Sequence, residues 1–188
     1  MNKRNIITIA GDLASGKGTV TNLLKEDLGY EVYRNGEYFR KLAKEKNMSV
    51  TEFNEYVKDY PEIDIQIETS AKEYAMTHDN LIIDARLGWY AVPESFKIYL
   101  KVDIDEAARR AFNDPNRKDT ENFNSIEEQK EDMINRFKLE NERYFNVYRV
   151  RKEDMSNYDL IIDSTNLTPE QVKDKIKSEY FKWLENNK

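Results

Sequence analysis

Two rhythms of apolar residues run along this chain. Runs rich in strand formers occupy 6–10, 31–34, 81–84, 96–102 and 158–162, and each is too short to be a helix. Between them the apolar positions recur at helical spacing. Val20, Leu23, Leu24 and Leu28 form one such stripe, which Gly29 stops. Val172, Ile176, Tyr180, Trp183 and Leu184 form another, a face that predicts a final helix closing against the sheet. Ser49 with Glu52, Ser125 with Glu128, and Thr168 with Gln171 fit capping boxes, and Pro169 suits a first helical position. Strands alternating with helices predict a parallel sheet with helices on both faces and right-handed crossovers. There is no internal repeat and no low-complexity tract.

Composition narrows this frame. The chain has 188 residues, 39% of them hydrophobic, enough for one well-buried domain. It has no cysteine, which removes disulfides, zinc–thiolate sites and thiol nucleophiles. No apolar stretch is long enough to span a membrane, and Met1 to Asn5 lead straight into the first strand without a signal-peptide core, so a cytoplasmic protein is expected. The net charge of −6 argues against nucleic acid as a partner. A monomer or weak homo-oligomer is the expected assembly. Arginines concentrate between 109 and 151, at Arg109, Arg110, Arg117, Arg136, Arg143, Arg149 and Arg151. Such a local cationic zone in an acidic chain suits a small anionic ligand, while surface ion pairs with nearby glutamates account for some of it.

The chemistry begins where the first strand ends. Gly11-Asp12-Leu13-Ala14-Ser15-Gly16-Lys17-Gly18-Thr19 has two glycines bracketing four residues, then a lysine and a hydroxyl. This is a phosphate-binding loop: glycines permit close backbone approach, successive N–H groups form an anion nest, and the following helix adds its positive end. Lys17 supplies a point charge for the β- and γ-phosphates of a nucleoside triphosphate. The hydroxyl comes one place late, at Thr19. Either Thr19 ligates Mg²⁺ or it contacts a phosphate while water completes the metal shell.

The second substrate is read from the other strand ends. In an open parallel sheet, ligands bind beyond the carboxyl ends of the strands. Arg34-Asn35-Gly36-Glu37-Tyr38-Phe39-Arg40 follows the second strand, and Asp84-Ala85-Arg86 ends the third. Arg40 and Arg86 are therefore expected beside Lys17, as a pair suited to a phosphate. No aspartate stands at the end of the second strand to serve as a base for an alcohol, which favours a phosphate acceptor. Asp84 then orients groups or holds Mg²⁺ and its water; alternatively it pairs with Arg86. Residues 113–124 are polar and turn-rich between two arginine-bearing helical patterns, the composition of a closing lid or of a plain solvent loop. His78 is expected in an exposed turn.

These residues resemble nucleoside monophosphate kinases in Gly16-Lys17-Gly18-Thr19, Gly36-x-x-Phe39-Arg40 and Asp84-x-Arg86. Residues 39–45, Met48 to Phe53, Pro61-Glu62-Ile63-Asp64, Asp84 to Trp89 and Tyr158 to Asp163 are similar to cytidylate kinases of the archaeal type. Position 14 is alanine where that family often has glycine.

The resemblance implies one P-loop kinase domain: an α/β three-layer fold with a five-stranded parallel sheet of order 2-3-1-4-5. Its core would be 1–35, 76–109 and 150–188, with a helical monophosphate-binding region at 36–75 and a lid at 110–149. It implies transfer of the γ-phosphate of ATP, with Mg²⁺, to CMP or dCMP. Lys17 and loop residues 11–19 would hold ATP, and Gly36, Phe39, Arg40, Asp64 and Arg86 the acceptor. Asp64 would read the cytosine amino group, and Thr19 and Asp84 would serve Mg²⁺. Arg109, Arg110, Arg117, Arg136 and Arg143 are candidates for neutralising the transferring group. Arg136 and Arg143 rank first, because with Glu140 they share one helix face. A P-loop kinase of another metabolite, or a nucleotide-dependent regulator, are the other readings; no N-K-x-D motif marks a GTPase.

Overall fold

All six residues of the first strand, β1 (Ile6–Gly11), are buried, which puts this strand at the centre of the molecule. A computed structural model describes residues 5–117 and 123–186. In chain order its elements are β1, α1 (Lys17–Leu28), β2 (Glu31–Arg34), α2 (Asn35–Glu45), α3 (Val50–Lys58), α4 (Pro61–Thr77), β3 (Leu81–Asp84), α5 (Gly88–Ala91), β4 (Phe96–Lys101), α6 (Ile104–Asn113), α7 (Ile126–Tyr148), β5 (Leu160–Asp163) and α8 (Pro169–Asn186). The sheet is parallel, in the order β2-β3-β1-β4-β5. Five parallel strands in this order with flanking helices match the architecture expected from the sequence.

Alternation along β1 divides the interior. Ile7 and Ile9 face α1 and α8, meeting Val20, Leu24, Val172, Ile176 and Tyr180. Ile6 faces the other way, toward Ala71 and Ala75 of α4 and Ala91 of α5. Gly29 ends α1 in the left-handed conformation, φ 66°, and its N–H reaches the Lys25 carbonyl, as a C-terminal glycine does. The Ser49–Glu52 box forms with both hydrogen bonds, and so does that of Thr168 with Gln171. Ser125 caps α7, but the Glu128 carboxylate accepts from the N–H and side chain of Asn124 instead of closing a box. His78 follows α4 directly, and its ring stacks on Tyr74, 3.7 Å between centroids, rather than standing out in a turn.

Two strand ends differ from the sequence expectation for a visible reason. Val102 does not continue β4, because its N–H donates to Asp12 Oδ2 at 3.0 Å. Tyr158 does not begin β5, because it closes a 3-10 turn at Met155–Asn157, with its hydroxyl donating to the Lys152 carbonyl.

The three helices between β2 and β3 carry a small core of their own, Ala43, Phe53 and Val57. Helix α7 connects two sides of the molecule. Its Met133 packs on Ala107, Ala108 and Ala111 of α6. Its other side meets α3, where Thr51 donates to Asp132 (2.8 Å) and Lys58 pairs with Glu142 (3.2 Å). Of the polar segment 113–124, Asn113 ends α6 and Pro115–Arg117 form a 3-10 turn; residues 118–122 lie outside the described part, as do Met1 to Arg4. No described helix is long and apolar enough to cross a membrane.

Candidate active site

Beyond the carboxyl ends of the strands lies a cleft of about 990 Å³, floored by loop 12–19 and walled by α6 and the segment after β5. A recess of about 120 Å³ opens beside it, between α2, α4 and α7. Lys17, Arg40, Asp84, Arg86 and Arg136 line both, so the seam between the two spaces is where the cations gather.

The loop is held from behind. A Cβ at Gly11 would lie 2.6 Å from the Leu100 carbonyl oxygen, so only glycine lets the chain pass β4 here. Asp12 is anchored to β4 and the residue after it: its N–H donates to the Leu100 carbonyl, and its carboxylate accepts from the Tyr99 hydroxyl (2.6 Å) and the Val102 N–H. Burial and the adjacent Asp12 hold the Tyr99 phenol well above its usual range, so it remains a donor. The Ser15 carbonyl accepts from Ser164 Oγ at 2.9 Å. Leu13 and Ala14 pack on the α6–α7 core. Ala14 adopts φ 57° and Gly16 φ 83°; the alanine thus occupies a left-handed position that glycine fills without strain. Gly16 caps α1 without a side-chain acceptor, and the first turn of α1 has no acid. The open N–H groups and dipole of α1 therefore face the cleft unneutralised. Gly18 and Thr19 are exposed at this mouth.

Lys17 makes an ion pair with Asp84 at the end of β3. Burial draws the ammonium below its usual range; Asp84 opposes that shift, and Arg86 adds to it. Asp84 is thus partnered by Lys17, not by Arg86. Arg86 instead donates from Nε to Glu140 (3.1 Å) and from Nη1 to the Gly11 carbonyl (3.0 Å). Glu140 also pairs with Lys152. Burial alone would raise the Glu140 carboxyl, but Arg86 and Lys152 outweigh it and hold it far below the usual carboxylate range.

The candidate arginines divide by position. Arg136 is buried on α7 at the seam, with Asp132 3.9 Å away. Arg143 lies deeper, in the recess and outside the main cleft: its Nε is 2.6 Å from Asp64 Oδ2, its Nη1 bonds Asn54, and its guanidinium stacks 5.3 Å from the Phe39 ring centre. Arg109 and Arg110 line the main cleft but both grip Glu106, and Arg110 also donates to the Ser164 and Thr165 carbonyls. Arg117 stands 3.4 Å from Asp114. Arg149 and Arg151 lie over the Phe145 ring and line neither space. Gly36, Phe39 and Asp64 all line the recess, so every expected acceptor residue is gathered there.

Sequence reasoning did not single out Glu68, Asn35, Asn54 or Lys152. A signal for Glu68 existed: Asp64 and Glu68 place like charges one helical turn apart, which weakens a helix unless something uses them. Glu68 is buried, accepts from Asn35 at 3.1 Å through Oε1, and has Oε2 without a hydrogen-bond partner among the described residues. Burial first, then the Asp64 charge, push its carboxyl up to about 8. A group raised on folding binds its proton more tightly in the native state, so its contribution is full below the unfolded value near 4.5 and falls as pH climbs through about 8. Glu68→Gln should therefore lose less stability than the parent between about pH 5 and about pH 9, the difference reaching roughly 4 kcal/mol at the alkaline end. Guanidinium unfolding across that range measures it; identical pH slopes would refute it.

A parallel sheet ordered β2-β3-β1-β4-β5, with a phosphate loop after its central strand, defines a P-loop kinase fold. A gluconokinase from Sinorhizobium meliloti has it (TM-score 0.63, 10% identity, 99% of this chain and 97% of that one), a likeness of fold alone. The chain belongs to the cytidylate kinase-like family, whose sequence model matches residues 6–166. It is 34% identical over 171 residues to a cytidylate kinase of Thermoplasma volcanium, covering 88% of this chain and 86% of that protein. It is 34% identical over 174 residues to a cytidylate kinase of Methanosarcina barkeri, covering 91% and 93%.

Proposed function

We propose that the protein transfers the γ-phosphate of ATP to CMP or dCMP. Family membership makes it an ATP-dependent nucleoside monophosphate kinase. The observation that carries the finer reading is the seam: a triphosphate loop and a separate, carboxylate-lined recess meet at one cluster of cations. The loop N–H groups, the α1 terminus and Lys17 would take the ATP phosphates. Arg40 and Arg86 would take the acceptor phosphate, and Arg136 would neutralise the group in transit. Arg143 would hold Asp64 against the base, a different task from the one its place on α7 suggested.

Such a mechanism needs no general base. A phosphate monoester has its second pKa at about 6 and is mostly dianionic at neutral pH, so alignment and charge neutralisation suffice. The local residues fit Mg²⁺: Asp84 offers one carboxylate at the seam and Thr19 one exposed hydroxyl. No cluster of three or more His, Asp or Glu ligands exists among the described residues. This suits an ion that keeps waters and binds through nucleotide phosphates. When bound, it would shield charge on the bridging oxygens.

A coupled ADP-release assay over CMP, dCMP, UMP, AMP and GMP tests the proposal. CMP or dCMP should show the highest kcat/KM. Preference for a purine nucleotide or for an alcohol acceptor would overturn it.

A further inference from the structure

On the α4 wall of the recess stand two acids, Asp64 and Glu68, with Arg143 opposite, and the two acids cannot act alike. Asp64 has the arginine: Arg143 Nε lies 2.6 Å from it. Glu68, one turn further along α4, has only the neutral Asn35 amide on one oxygen, and its other oxygen is buried and unpartnered. Two carboxylates side by side with a single close cation resolve their repulsion when one keeps a proton, and the one without the cation keeps it. A protonated carboxyl is a donor, which an ionised one can never be.

We infer that Glu68 is a specificity-determining residue which enters the recess as a neutral carboxylic acid and donates to a ring-nitrogen acceptor of the pyrimidine, beside Asp64 accepting from the amino group. This rests on the proposed monophosphate kinase reading and adds a second contact to it. The pair then reads an acceptor next to a donor. Cytosine offers both, through N3 and the 4-amino group. Uracil reverses both: its O4 would face the Asp64 carboxylate and its N3–H would face the Glu68 proton. A recess with this polarity rejects uracil through unpaired buried groups as well as through lost bonds.

The protonation state follows from everything that faces Glu68. On its own helix there is Asp64, whose charge disfavours ionisation. From α7 come Arg143, which favours ionisation but less than burial opposes it, and the hydroxyls of Tyr144 and Tyr148, both held protonated by burial. From α2 comes Asn35, whose amide donates to Oε1. Glu140, Arg136, Arg86, Asp84, Arg40 and Lys17 line the same recess. Glu140 and Arg86 are engaged with each other, as are Asp84 and Lys17. Above about 8 the Glu68 proton leaves, and a carboxylate then confronts the N3 lone pair.

The test compares CMP with 3-deaza-CMP, in which N3 is replaced by C–H, for the parent enzyme, Glu68→Gln and Glu68→Ala. At pH 7 the parent should show KM for 3-deaza-CMP roughly 10- to 100-fold above that for CMP, with KM for ATP unmoved. Glu68→Gln retains a donor and should keep KM for CMP within about threefold of the parent. Glu68→Ala should raise KM for CMP by about tenfold or more and erase the 3-deaza penalty. In the parent, KM for CMP should climb above about pH 8, a range in which neither the cytosine ring nor the phosphate titrates; in Glu68→Gln it should stay flat. Equal use of CMP and 3-deaza-CMP by the parent overturns the inference, and that comparison needs no variant to fold. Loss of CMP binding by Glu68→Gln as severe as by Glu68→Ala would also overturn it, since an ionised acceptor would then be required. A parent that turns over CMP without these effects leaves the kinase reading standing and removes this inference; one that phosphorylates no nucleoside monophosphate removes both.

Discussion

Lys17→Met should lower kcat by roughly 10³-fold or more while leaving the fold intact, a magnitude in line with removal of one well-placed charge on a transferring phosphoryl group. Lys17 sits where the cleft and the recess meet, at the start of a helix whose own dipole already favours anions. Its ammonium is pulled down by burial and held charged by Asp84, so it is neither swamped by water nor free to wander. Methionine keeps the length of the chain and removes the charge. The expected signature is a collapse of kcat with a smaller rise in KM for ATP, because the loop N–H groups and the α1 terminus remain. Steady-state kinetics at saturating nucleotides, with circular dichroism to confirm folding, check it. A folded variant that keeps more than about a tenth of the parent rate would end the assignment of Lys17 as the phosphate lysine.

Glu140→Gln should cost roughly 3 to 5 kcal/mol of stability at neutral pH, the usual penalty for leaving buried charges without their counter-ion. The carboxylate is buried and serves two cations, the buried Lys152 and the half-buried Arg86. Glutamine matches its shape and neutralises it, so two like charges would face one another across an amide. The pH dependence has a definite sign. The Glu140 carboxyl is depressed on folding, so its stabilisation is full above the unfolded carboxyl range near 4.5 and is lost as pH falls below it. The gap between parent and variant should therefore be wide at pH 7 and narrow in acid. Urea unfolding at several pH values measures this. A second substitution, Lys152→Met, should recover part of the loss by removing one of the two stranded cations, whereas no recovery would mean that packing rather than charge governs the site. Function should suffer as well. Arg86 is fixed between Glu140 and the Gly11 carbonyl, so the variant should show a raised KM for the acceptor nucleotide.

Arg143 shows how far a one-dimensional reading reaches. That Arg136, Glu140 and Arg143 share a face of α7 follows from helical spacing, and all three are buried on that face. Which of them looks into the main cleft does not follow. Helix α7 lies along the recess, so residues two turns apart meet different neighbours: Arg136 lines the seam, and Arg143 reaches Asp64 and Asn54 from α4 and α3. Lys152 was invisible for a similar reason. Nothing near it in the chain marks it, and only the return of the segment before β5 under α7 brings its ammonium to Glu140. The ends of β4 and β5 differ for two reasons: Asp12, ninety residues away, takes the Val102 N–H, and a local 3-10 turn takes Tyr158.

The sequence alone determined where the strands lie apart from their ends, two of the three capping boxes, the phosphate loop and the pool of cations, because each of these rests on contacts within a few residues or on periodicity. Ala14 stood out only against the pattern of the resembled family, and its left-handed backbone agrees with the glycine more usual there. Tertiary structure alone decided which charges meet. Parallel crossovers carry the ends of β1 and β3 to the same edge, and α7 then lays Arg136, Glu140 and Arg143 across them. The pairing of Lys17 with Asp84, of Arg86 with Glu140 and Lys152, and of Arg143 with Asp64 depends on distances between elements 12 to 79 residues apart, which no local pattern encodes. The protonation of Glu68 belongs to the same class, since it is set by burial and by neighbours that exist only once the recess has formed.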